Sequence, residues 1–175
     1  MARLVRVGGI AGALLAAMAA AAPAAAQDAG SRPTREFVQM AGESDAFEIM
    51  EAHAALAQSR DPHVLAFAQA MIRDHGETSR ALGEAAARAG VKPPPMAVGA
   101  DQSPLLAGLQ NLRGRAFDQA YWRQQALSHR SALVVQQHYA ATGDTPALRQ
   151  AATAAVPVIQ AHLATAERMS AAAGS

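Results

Sequence analysis

The chain has 175 residues, enough for one domain with a single core and few for two. Half of the residues are apolar, yet alanine dominates them and aromatics reach only 4%, so the core must come from closely approaching helices rather than bulky strands. Fifteen basic residues against fourteen acidic ones leave no electrostatic footprint for nucleic acid or an anionic membrane, and the absence of cysteine excludes disulfides, thiolate metal sites and a lipid-anchored cysteine.

Arg3 and Arg6 precede the apolar run "VGGIAGALLAAMAAAAP", which ends in Ala24-Ala25-Ala26 before Gln27. This pattern predicts a secretory signal peptide over residues 1–26, cleaved at an A-x-A site. The run is short for a membrane span and is broken by Pro23, so no stable membrane insertion is expected after cleavage. Removing 26 of 175 residues leaves 149, expected to work in the periplasm or as a secreted protein. A flexible segment is expected over 27–34, followed by the folded domain over 35–172.

Four long helical patterns follow. The first runs from about Arg35 to Gln58, with Thr34 as the expected N-cap. The second opens at Asp61-Pro62, a capping residue followed by proline in the first turn, and closes at Gly90. A proline-rich connector, "VKPPPMAVGADQ", leads to a short helix, "SPLLAGLQNLRG". The third long helix spans about Ala116 to Ala141. After "TGDTP" the fourth runs from about Ala147 to Ala172, with Pro157 inside it, where a missing hydrogen bond predicts a kink. The connections are short, long, short. That order predicts an all-α, ferritin-like four-helix bundle whose long crossover, carrying a short helix, joins helices 2 and 3. A shift of 87 residues sets Ile72 on Ile159 and His75 on His162, as either a duplicated hairpin or two similar alanine-rich helices would.

Polar residues interrupt the apolar stripes. At about 100° per residue, Val64, Ala68, Met71, Ile72, Ser79 and Leu82 share one face of the second helix, and His75 of "QAMIRDHGETSRAL" lies near its middle. Glu48 sits on the stripe of Phe37, Ala41, Ser44, Ala52 and Ala55 in the first helix, and His162 lies towards one edge of the fourth. In the third helix the stripe of Phe117, Tyr121, Ala132, Val135 and Tyr139 leaves His129 roughly 100° off its centre. With a rise of about 1.5 Å per residue, the four groups fall at similar depths, roughly 15 to 24 Å from the turns that join their helices.

A buried carboxylate needs partners, because ionising it alone costs several kcal/mol. Two answers fit Glu48. One is a hydrogen-bonded Glu-His network kept for packing specificity, in which His75→Leu would be tolerated. The other is a first-row divalent metal such as Zn, Fe, Mn or Cu, held by imidazole nitrogens and one carboxylate from facing helices. Glu51, one turn on, is the candidate second carboxylate; Asp74 is a candidate acceptor that orients a histidine, although its offset of about 100° from His75 fits a solvated or boundary aspartate better. "EIMEAH" lacks the Glu-x-x-His pairs of di-iron carboxylate bundles, and Met40, Met50, Met71 and Met169 read as core filler rather than a copper site. No phosphate loop, nucleophile elbow or zincin motif is present.

The stretches "FVQMAGESDAFEIMEAHAALA", "DPHVLAFAQAMIRDH", "RGRAFDQAYWRQQALSHRSAL" and "LRQAATAAVPVIQAHLATAERM" resemble the four helices of the bacterial exported family called domain of unknown function 4142, which is classed as ferritin-like. The likeness covers roughly residues 35 to 170. It is carried by Phe37 and Glu48, the Met-x-x-Asp-His run ending at Asp74 and His75, Phe117-Asp118 with Tyr121 and His129, and Pro157 followed by His162. The resemblance implies that Glu48, His75, His129 and His162 are the positions to test and that His129 faces inward; the metal-binding reading makes those four the ligands, with Asp74, Tyr121, Asp118 and Glu51 in support. It supplies no reaction. Three functions stay open: metal binding in storage or stress protection, a non-catalytic envelope protein acting through a protein partner or as a homo-oligomer, and an oxidoreductase with a di-metal centre.

Overall fold

The computed structural model describes residues 30–94 and 96–174. The expected signal peptide lies outside the described residues. Five helices follow in chain order: α1 (Arg32–Gln58), α2 (Pro62–Arg88), α3 (Ser103–Gln110), α4 (Gly114–Thr142) and α5 (Pro146–Gly174). No strand occurs among the described residues. No helix among them is long and apolar enough to cross a membrane.

Local chemistry sets the helix ends. α1 starts three residues earlier than expected, because Ser31 and not Thr34 is its N-cap: Ser31 Oγ accepts from the Thr34 N–H at 3.2 Å. Thr34 is instead buried, with Oγ1 2.7 Å from the Tyr139 hydroxyl of α4. At α2 the expected cap holds, since Asp61 Oδ1 accepts from the His63 N–H at 2.8 Å and Pro62 fills the first turn. Its C-terminus closes on Gly90 at φ +69°, with Gly90 N–H bonded to the Ala87 carbonyl and Val91 N–H to that of Ala86. That double closure is a Schellman motif, and it seats the buried Val91 on the bundle. α5 continues as helix through Pro157.

The hairpins α1–α2 and α4–α5 pack side by side, with α1 against α4 and α2 against α5. The start of α1 meets the end of α4 through Thr34 and Tyr139, and its end meets the start of α4 through Ser59 and Asp118, so these neighbours are antiparallel. The crossover therefore runs the length of the bundle, carrying α3 against α1 and α4. This is the ferritin-like arrangement.

Apolar packing gathers at the two ends of the bundle. Ala52, Val64, Phe67, Met71, Leu109, Phe117, Trp122 and Ala166 fill one end. Phe37, Leu82, Ala85, Tyr139 and Leu148 fill the other, where the Phe37 and Tyr139 rings stack at 3.9 Å. Ala132, Ala155 and Ile159 form a small third cluster. In each long helix the buried carboxyl and imidazole groups fall between the stretches given to the two ends, which makes them a polar layer inside an alanine-rich bundle.

Candidate metal centre

Glu48 of α1, His75 of α2 and His129 of α4 are fully buried and bring one possible ligand atom each to within 4.8 Å of one another. Three helices thus deliver three side chains to one point. His129 belongs to the group despite its offset from the apolar stripe of α4. The buried face of that helix is wider than the stripe indicates, because Trp122, Gln125, Ala126 and Gln136 also turn inward and move its centre towards His129.

Each imidazole is fastened through one ring nitrogen. His75 Nδ1 lies 2.8 Å from Asp45 Oδ1, and Glu48 Oε2 is 3.0 Å from the same nitrogen without an aligned hydrogen bond. His129 Nδ1 is 2.8 Å from the Gln125 carbonyl; a carbonyl only accepts, so Nδ1 carries a proton, and in the neutral ring that burial favours Nε2 keeps its lone pair. His162 Nε2 donates to Asp74 Oδ2 at 3.0 Å, and its ring centre lies 5.5 Å from that of His75 and 5.6 Å from that of His129. Oxygen acceptors of this kind set the ring orientation of metal-binding histidines. Asp74 sits at the bundle's boundary, where it also pairs with Arg73 at 2.9 Å, and it meets His162 of α5 rather than its neighbour His75.

The carboxylates differ in state. Burial pushes the Glu48 carboxyl up, but the His129 and His75 imidazoles and the Ser128 hydroxyl, 2.7 Å from Oε1, outweigh it and bring it to about 2. Burial lowers His75, but Glu48 and Asp45 together raise it to about 10, so in the metal-free protein the two form a buried ion pair. Burial raises Asp45 despite its bonds to His75 and Ser79. Glu51, equally buried, accepts from Gln125 Nε2 at 2.8 Å, yet burial and the Glu48 charge push it up to about 8, so it is protonated at neutral pH. Desolvation keeps His129 below its ordinary value and takes His162, with the charges of the other two rings, down to about 4.

Buried polar atoms normally find partners. Here Glu48 Oε2, His75 Nε2 and His129 Nε2 have no hydrogen-bond partner, and neither do Glu51 Oε1 and the Tyr121 hydroxyl nearby on α1 and α4. A carboxylate oxygen and two imidazole nitrogens from three facing helices match the ligand chemistry of a first-row divalent ion. The residues present therefore fit a metal. Asp118 stands apart, accepting from Ser59 Oγ at 2.6 Å near the α1–α2 turn.

Asp45 is the site residue that the sequence reading misses. Its carboxylate, 5% exposed, gathers His75 Nδ1, Thr78 Oγ1 and Ser79 Oγ, tying α1 to α2 beside the group. Its signal was its position three residues before Glu48, on nearly the same helix face.

The family model described as "Domain of unknown function (DUF4142)" matches residues 19–169. No curated protein matches the sequence. Among solved structures, a DUF305 fragment from Deinococcus radiodurans is similar with a TM-score of 0.70 and 18% identity, over 83% of this chain and 99% of that one. At that identity the likeness is one of fold.

Proposed function

The chain belongs to the DUF4142 family, and from that premise we propose that it binds a first-row divalent metal ion between its helices, in a storage or stress-protection role. Glu48, His75 and His129 supply the ligand atoms, His162 completes the layer, and Asp45, Asp74 and the Gln125 carbonyl hold the rings. The observation that supports this reading is the convergence within 4.8 Å of three buried residues, each with an unpartnered polar atom. Bound metal would supply the positive charge that these groups otherwise draw from the His75 proton, so uptake releases protons. The N-terminal pattern of Arg3, Arg6 and the apolar run supports export as the protein's route.

Elemental analysis of tag-free protein purified without chelators tests the proposal, together with melting in the presence of added Zn, Fe, Mn and Cu. About one ion per chain and a higher melting temperature with one metal are expected. Protein that stays empty and melts unchanged with all four sinks it. A second reading, a metal-free network, is favoured by the His75 ion pair with Asp45 and Glu48 at 2.8 and 3.0 Å. It predicts that empty, indifferent protein.

A further inference from the structure

A cleft of about 170 Å³ opens beside α1 and α4, next to the crossover. Its inner wall includes Asp45 and Ser128. Those two side chains touch the buried group directly, Asp45 at His75 Nδ1 and Ser128 at Glu48 Oε1. Its outer wall includes Glu43 and Asp101, and no lysine or arginine lines it. At the mouth, a Cβ built on Gly99 would stand 2.9 Å from Asp101 Oδ1, 3.0 Å from Glu43 Oε2 and 3.2 Å from Gln102 Oε1. Three oxygens therefore converge on one point, and only the missing side chain of Gly99 leaves room there. Glu43 is steadied by Gln39, whose Nε2 donates to its other carboxylate oxygen at 2.9 Å.

Two carboxylates alone would not make a site. Gln136, however, is 7% exposed and lines the same cleft, and its Oε1 has no hydrogen-bond partner. A buried amide oxygen in that state calls for a positive or hydrogen-donating occupant. Hard divalent cations take oxygen ligands and keep part of their water shell, which suits carboxylate and amide oxygens around an open cleft. Charge of one sign in a concave, partly apolar wall also concentrates the counter-ion and speeds its arrival.

We propose that this cleft is the route by which a divalent cation reaches the buried group, with the Glu43, Asp101 and Gln102 oxygens around Gly99 as its first binding place and Gln136 and Asp45 as the oxygens further in. The route rests on the metal-binding reading; the outer binding place does not.

Two measurements separate them. Mn(II) added to ¹⁵N-labelled protein should broaden amide signals centred on residues 99–102 and Glu43. The broadening centred at the mouth, as distinct from any centred on the buried His75 and His129, should vanish in the double variant Glu43→Gln/Asp101→Asn and in Gly99→Ala, whose methyl displaces the three flexible side-chain ends without straining the backbone. Stopped-flow uptake of Co(II), followed by its d–d absorption, should slow about tenfold in both variants while reaching the wild-type stoichiometry and spectrum. The lost rate should shrink as salt rises. No broadening at the mouth, broadening that survives both changes, or unaltered uptake rates would overturn the inference. Broadening at the mouth with no Co(II) band in the wild-type protein would overturn the buried metal centre and the route, leaving the outer site standing.

Discussion

Replacing His75 by leucine removes the one charged imidazole between two buried carboxylates. In the metal-free protein Glu48 loses a partner at 3.0 Å and Asp45 one at 2.8 Å, and both carboxylates stay inside the bundle. Breaking a buried ion pair from one side costs about 3–5 kcal/mol, because the remaining charge is left uncompensated. For a domain of this size that is a fall in melting temperature of roughly 6 to 20 °C. The metal-free network with satisfied histidines expects His75→Leu to be tolerated, whereas a His75 ion pair predicts this loss. Urea unfolding followed by circular dichroism in EDTA at neutral pH measures the loss. The deficit should narrow on acidification, since protonating Glu48 and Asp45 removes the uncompensated charge. The double variant Glu48→Leu/His75→Leu should recover part of it, as it removes one charge of the cluster together with its counter-charge. A single variant within about 1 kcal/mol of wild type at neutral pH would refute the ion pair, whatever the metal content.

Glu51 gives a pH prediction. Its folded pKa of about 8 lies above the ordinary 4.5, so the native state holds a proton that the unfolded chain has lost in between. The stability it contributes is fully present below the lower value and drains away as pH rises through the upper one, by up to about 1.4 kcal/mol per pH unit. In metal-free protein Glu51→Gln should flatten this fall between about pH 5 and 6, a window in which His75 stays mostly protonated in both states. Parallel stability curves for variant and wild type would contradict a neutral Glu51. Gly42→Ala tests the seat of the crossover on α1, because the new Cβ would fall 2.4 Å from the Pro94 ring. Overpacking of about 1–3 kcal/mol should outweigh the roughly 1 kcal/mol of helix propensity gained, giving a net loss in denaturant unfolding; a stabilised variant would show that Pro94 does not press there.

Much of the bundle is legible because helix ends are local events. Asp61-Pro62 and Gly90 each act on backbone groups within one turn, and their motifs read the same in sequence and structure. The start of α1 is harder, since Ser31 and Thr34 are both fitting caps and only the burial of Thr34 against Tyr139 decides between them. Glu48 and His75 are visible as polar interruptions of apolar stripes. His129 is not, because the stripe of Phe117, Tyr121 and Ala132 leaves out Trp122, Gln125, Ala126 and Gln136, which the packing also buries and which lie on the His129 side of α4. Asp45 escaped for the same reason, as a residue at the stripe's edge that becomes interior once α2 brings His75, Thr78 and Ser79 over it.

Composition and periodicity by themselves determine an alanine-rich, all-helical chain with short, long and short connections, because helix propensity and turn chemistry act over a few residues. Tertiary structure decides the rest. Which nitrogen of each histidine is tied down, which carboxylate is ionised and which keeps its proton, and how a cleft lined by Glu43 and Asp101 comes to end at Ser128 and Asp45 all depend on side chains far apart in the chain. Desolvation and charge pairing act through space, at distances that only the packing of four helices sets.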